Sequence, residues 1–233
     1  MTGTVHLAHL AHLDHLVIMA NTLNEGVAWC EATLGVTPGP GGEHPLMGTH
    51  NRLLRIDSKA FPRAYLELLA ITSEAIYAYG TRATRWFDMD DAPLRARVAQ
   101  NGPQLIHWVA SVPGIAAAAQ TMAAQGIDRG SAIEASRMTP SGLLQWQITV
   151  RADGQRLFDG CLPTLIQWGD VHPTDNMPES GVSLHALHVA HPAASQLQAA
   201  LDGIGLDAIA VHDAPARITA IFQTPKGMVQ LVS

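Results

Sequence analysis

Three histidines stand at equivalent points of a pattern that occurs three times along the 233 residues: His15 in LDHLVI, His107 in LIHWVA and His185 in SLHALHVA. Each is followed by a helix-length segment that ends at a glycine (Gly35, Gly126, Gly205), and then by an apolar stretch with a single Glu or Gln. Those residues are Glu67 in YLELLA, Gln167 in LIQW and Gln230 in MVQLV. Imidazole, carboxylate and amide oxygen bind metals, and the first two also move protons. Only the first copy joins a histidine to a carboxylate. Glu67, flanked by Leu66, Leu68 and Leu69, is costly to bury unless it is paired or metal-bound, and so calls for a cation. Strand alternation places Glu67 with Tyr65 and Leu69, and His15 with Leu13 and Val17. On the preceding strand His50 and Arg52 share one face, Asn51 and Leu53 the other. Turned inward, His50 and Arg52 would orient an anionic or carbonyl substrate beside Glu67 as catalytic residues; turned outward, they form an exposed edge. Arg52 or Arg55 is also a cross-strand partner that would neutralise Glu67.

The elements that position these residues follow from periodicity and punctuation. Leu13 to Met19 reads as a strand, and Asn21 or Thr22 caps a helix that Gly35 ends. TPGPGGEHPLMG is loop, and strands follow at Thr49 to Ile56 and Ala64 to Ile71. The order restarts at Leu105 and again at Val182, with VHPTDNMPESG as the clearest boundary. These restarts predict an α+β protein of repeated βαβββ modules, at residues 10–92, 93–178 and 179–233, since repetition dictates architecture. The third, smaller module is expected to buttress the first two, or to pair across a homodimer and form a second site from His185 and Gln230.

Composition narrows the function classes. With 47% hydrophobic and 15% charged residues the chain can bury a core, and a net charge of −6 without a basic cluster argues against nucleic acid as a partner. No apolar run is long enough to span a membrane, and the His-interrupted start MTGTVHLAHLAHLDH lacks the features of a secretory signal. A cytoplasmic address is the expectation. Cys30 and Cys161 suit buried thiols rather than a disulfide framework. His6, His9, His12 and His15 recur every third position; adventitious metal binding fits them better than a dedicated site. Asp88, Asp90 and Asp91 lack the Gly and Glu of a calcium loop, so helix capping explains them better.

The repeated βαβββ order, the His-bearing first strand and YLELL resemble the vicinal oxygen chelate superfamily, and GTHNRLL, RWF and SRMTPSG resemble its glyoxalase-like branch. That resemblance implies curved mixed sheets that pair into a cup. It also implies a divalent metal (Zn, Fe, Mn, Co or Ni) at the floor, held by His15, Glu67, His107 and Gln167. The reaction class implied is that of a small-molecule lyase, isomerase or dioxygenase. Gln167 cannot serve as a base, which argues against a glyoxalase I reaction. The rival expectation is a metal-free binding protein of the bleomycin-resistance kind, whose cup holds a small ligand between apolar walls.

Overall fold

The computed structural model describes residues 11–72, 84–139 and 142–233. The first unit runs β1 (His12–Met19), α1 (Leu23–Leu34), β2 (Glu43–His44), β3 (Thr49–Arg55) and β4 (Tyr65–Ile71). Thr22 caps α1, its hydroxyl accepting from the Glu25 N–H at 3.1 Å, and Gly35 closes the helix in the left-handed region at φ 80°. The connector carries α2 (Ala92–Asn101), capped by the Asp91 carboxylate, which accepts from the Leu94 N–H at 2.7 Å. Asp88 and Asp90 bind Arg156 and Arg85, so none of this acidic run serves a cation site. The second unit is β5 (Gln104–Ser111), α3 (Ile115–Ala124), β6 (Ser131–Thr139), β7 (Gly142–Val150) and β8 (Thr164–Trp168). The third is β9 (Ser183–Ala190), α4 (Ala194–Gly203), β10 (Val211–His212), β11 (Arg217–Thr224) and β12 (Gly227–Val232).

No described strand exceeds 9 residues, and the first eight form one curled sheet in the order β2-β3-β4-β1-β5-β8-β7-β6. In each half the first strand lies parallel to the last, β1 with β4 and β5 with β8, and the halves join through the antiparallel pair β1 and β5. The third unit has the same element order but pairs differently. In β10-β9-β11-β12, β9 lies between a parallel β10 and an antiparallel β11, so its first and last strands never meet. His185 and Gln230 therefore do not occupy the relation that His15 and Glu67 hold.

Two apolar clusters divide the sheet by face. Leu13, Leu16, Ile18, Leu66 and Trp108 join Leu187, Leu201 and Phe222 in a core that the helices and the second sheet share. This burial, at roughly 25 cal/mol per Å² of apolar surface, holds the third unit against the convex side. Lys226 adds a cation at the C-terminal end of α1, its Nζ donating to the carbonyls of Glu31 and Ala32 at 3.0 and 2.6 Å. The concave face holds the second cluster, where Trp86, Phe87, Met89, Leu94 and Val98 of the connector fill part of the cup against Val17, Ile106 and Val109. Among the described residues no helix is long and apolar enough to cross a membrane.

Candidate functional site

The pairing of β1 with β5 contains a bulge that decides the site. Leu13 pairs with Ala110 and His15 with Val109, which leaves Asp14 as an extra residue. Alternation is broken there. Leu13 faces the convex core with Leu16 and Ile18, while Val17 lies on the concave side; His15 thus shares a face with Val17 but not with Leu13. Asp14 and His15, adjacent in sequence, now meet as side chains, with His15 Nδ1 to Asp14 Oδ1 at 2.6 Å. The carboxylate can only accept, so Nδ1 carries the proton and Nε2 is the nitrogen turned toward Glu67, at 3.5 Å from Oε2.

Asp14 is fully buried and collects four donors. Besides His15, it accepts from Trp168 Nε1 at 2.8 Å and His172 Nε2 at 3.1 Å, and from the Tyr65 hydroxyl. Burial alone would raise its carboxyl, but the hydrogen bonds and charges of His15 and His172 more than offset this and hold it well below the usual carboxylate range. His172 Nδ1 accepts from the Thr174 N–H at 3.2 Å, which puts the His172 proton on Nε2, facing Asp14. Tyr65 stacks on the His15 ring at 4.6 Å. Burial, with Asp14 and Glu67 nearby, pushes the phenol well above its ordinary value, so it stays a donor.

On the other side of Glu67, Asn51 Nδ2 donates to Oε1 at 2.6 Å. The amide orientation is fixed, because Asn51 Oδ1 accepts from the Gly42 N–H at 2.7 Å. The second Nδ2 hydrogen points to His44 Nε2, 3.4 Å away. His44 Nδ1 lies 3.1 Å from Thr49 Oγ1. Burial lowers His44 to about 4, with Arg137 contributing in the same direction and Glu67 opposing it; it is neutral near pH 7. A polar chain, Asp14–His15–Glu67–Asn51–His44, thus crosses the concave face of the first half. Beside it lies a space of about 30 Å³, room for a water or two. Its walls include Trp146, Trp168 and Ile148 of the second half. Leu53, Arg137, Leu144 and Pro173 also line a chamber of about 930 Å³ that continues outward.

Of the residues expected at this site, the structure brings His15 and Glu67 together and no others. His107 is fully buried, with Nδ1 3.0 Å from the Gly160 carbonyl and Nε2 3.0 Å from Thr164 Oγ1. Phe87 packs on its ring at 5.0 Å. Burial, then Arg129 and Arg156, hold it well below its ordinary value. Gln167 lies on the convex side, where its Oε1 accepts from the Ile115 N–H at 2.8 Å at the start of α3. Register explains the mismatch. Val17 pairs with Glu67 and Val109 pairs with Thr164, so the structural counterpart of Glu67 is Thr164, three positions before Gln167. His50 and Arg52 face outward, since Asn51 and Leu53 take the cup side of β3. The histidine run lies outside the described residues at His6 and His9.

The donor set falls short of the metal site that the resemblance implies. Two side chains, His15 and Glu67, face one another; the lone pair of His44 is turned to Asn51, and His107 has both nitrogens engaged. Catalytic metal sites take about three protein ligands, and among the described residues no three His, Cys, Asp or Glu side chains converge. The residues that sequence reasoning missed are Asp14, His44, Asn51, Tyr65 and His172. Asp14 beside His15 was a signal, but one that counts only once the bulge is known.

A curled sheet made of two βαβββ halves, with its polar residues on the concave face, defines a protein of the vicinal oxygen chelate fold. A glyoxalase-like domain is matched over residues 13–205, and the chain belongs to that family. No curated protein matches it. Among solved structures, a hypothetical protein from Staphylococcus aureus is similar at 14% identity and a TM-score of 0.58, covering 96% of this chain and 85% of its own. A Streptomyces coelicolor methylmalonyl-CoA epimerase aligns at 18% identity and a TM-score of 0.40, over 68% of this chain and 96% of its own. The epimerase of Mycobacterium tuberculosis aligns at 15% identity and 0.40, over 76% and 97%.

Proposed function

We propose that the protein is a small-molecule enzyme of the isomerase or lyase kind, working by proton transfer at one site in the first half of the cup. The observation that supports this most is the buried Asp14–His15–Glu67 array, with spacings of 2.6 and 3.5 Å, beside a small space whose walls Leu53, Arg137, Leu144 and Pro173 it shares with the larger chamber. Asp14 fixes the His15 tautomer, so Nε2 and the Glu67 carboxylate are the two groups that can exchange a proton with a bound carbon acid. Asn51, itself met by His44, holds Glu67 from the other side. Tyr65 and Trp168 hold Asp14 and keep water from its carboxylate. Oxygen activation at Fe(II) would need the two-His, one-carboxylate set, which these donors do not form.

Deuterium uptake from D2O at the carbon next to the carbonyl of 2-oxooctanoate, followed by NMR, tests this reading. The wild type should accelerate uptake and Glu67→Gln should reduce the rate by about 10²–10⁴. Equal rates in the two proteins would sink it. A metal-free binding protein is the second reading, favoured by the size of the chamber; it predicts saturable binding with no uptake above background.

A further inference from the structure

Arg137 on β6 lines both the small polar space and the outer chamber. Among the described residues no hydrogen bond or ion pair holds its guanidinium. The other arginine of the chamber, Arg55, is committed to Asp57 through Nε and Nη2 at 2.8 Å each. Gly42 makes room for Arg137, since a Cβ at that position would collide with Nη1. This is the same glycine whose N–H fixes Asn51 against Glu67. The guanidinium acts on the floor as well: its charge helps to lower His44 and opposes the rise of Tyr65. A half-buried, unpaired fork of donors facing a cavity calls for an oxyanion, because its geometry matches a planar carboxylate.

Leu53 and Leu144 line the chamber where it meets the small space, Leu54 and Met177 add apolar lining elsewhere, and Glu43 and Glu179 stand exposed at the rim. Among the described residues of the chamber Arg137 is the one arginine without a partner, which suits one negative charge. The rim carboxylates and the net charge of −6 oppose a second.

We propose that the cup binds a monocarboxylate with an apolar tail, the carboxylate on Arg137 and the tail along the chamber wall. Placement of the acidic C–H of such a ligand against Glu67 and His15 rests on the proton-transfer reading above; the binding itself does not.

Calorimetric binding of octanoate, 1-octanol and octyl phosphate to the full chain tests it. Octanoate should bind the wild type at least about tenfold more tightly than 1-octanol, and Arg137→Gln should erase that difference. Unchanged 1-octanol binding shows that the variant is folded. Gly42→Ala keeps the charge but displaces the guanidinium, and should weaken octanoate alone. Undiminished octanoate binding by Arg137→Gln would overturn the proposal, as would octyl phosphate binding tenfold more tightly than octanoate. The two readings fail separately. Octanoate binding through Arg137 without deuterium uptake removes the proton-transfer reading only, whereas uptake into 2-octanone and 2-oxooctanoate alike, undiminished in Arg137→Gln, removes the carboxylate assignment only.

Discussion

At the first bulge of the large sheet Asp14 precedes His15 and Glu67 faces it; at the second, Ile106 precedes His107 and Thr164 faces it. Backbone, bulge and imidazole are repeated, but the surroundings are opposite in character. His15 has a carboxylate on each side and an open space beside it. His107 is closed in by a carbonyl, a hydroxyl and the Phe87 ring. Thr164 there also accepts from Arg129 at 2.6 Å, and burial brings that guanidinium down to about 10. Two exchanges, a carboxylate for Thr164 and another for Ile106, together with one aromatic plug, separate the corner to which we assign proton transfer from one whose imidazole is engaged on every side.

The comparison can be broken most forcefully at Asp14. Asp14→Ala would strand the donors of His15, Trp168 and His172 in a buried place, so chemical denaturation should show a loss of about 3–5 kcal/mol. His107→Ala removes a packed ring and two hydrogen bonds, and should cost about 2–4 kcal/mol. It should nonetheless leave chamber binding intact, with octanoate affinity as the check.

Acid sharpens the contrast further. His44 and His107 have folded values below the unfolded 6.5, so the unfolded chain takes up protons first. Stability is therefore fully present above about pH 6.5 and falls as pH drops toward 4. The Asp14 carboxyl, held low, adds its own loss below about pH 4. His107→Gln should flatten the first part of this slope, by on the order of 1 kcal/mol between pH 6.5 and 5, read from denaturation midpoints at each pH. The smallest effect concerns metal. Exhaustive chelation should leave both melting temperature and deuterium uptake unchanged, because the described donors supply two ligands where about three are needed.

Much of the fold was legible in the chain, since the helix ends at Gly35, Gly126 and Gly205 and the histidine strands recur in order. That His15 and Glu67 lie on strands brought together was legible for the same reason. The rest depended on register. A bulge at Asp14 has no signature in a run of apolar residues, yet it inverts which neighbours His15 keeps. Matching Glu67 to Gln167 by residue type missed Thr164, which pairing with Val109 identifies. On β3, alternation grouped His50 with Arg52 and Asn51 with Leu53 but left open which pair turns inward. His172 sits in a stretch that reads as a linker and reaches the site across the fold.

Both corners carry a histidine, and deuterium uptake into 2-oxooctanoate by three proteins side by side distinguishes chemistry at one of them from chemistry at both. Wild type and His107→Gln should agree within about twofold per folded molecule, while Glu67→Gln falls by about 10² or more. A loss in His107→Gln as large as that in Glu67→Gln would contradict the account.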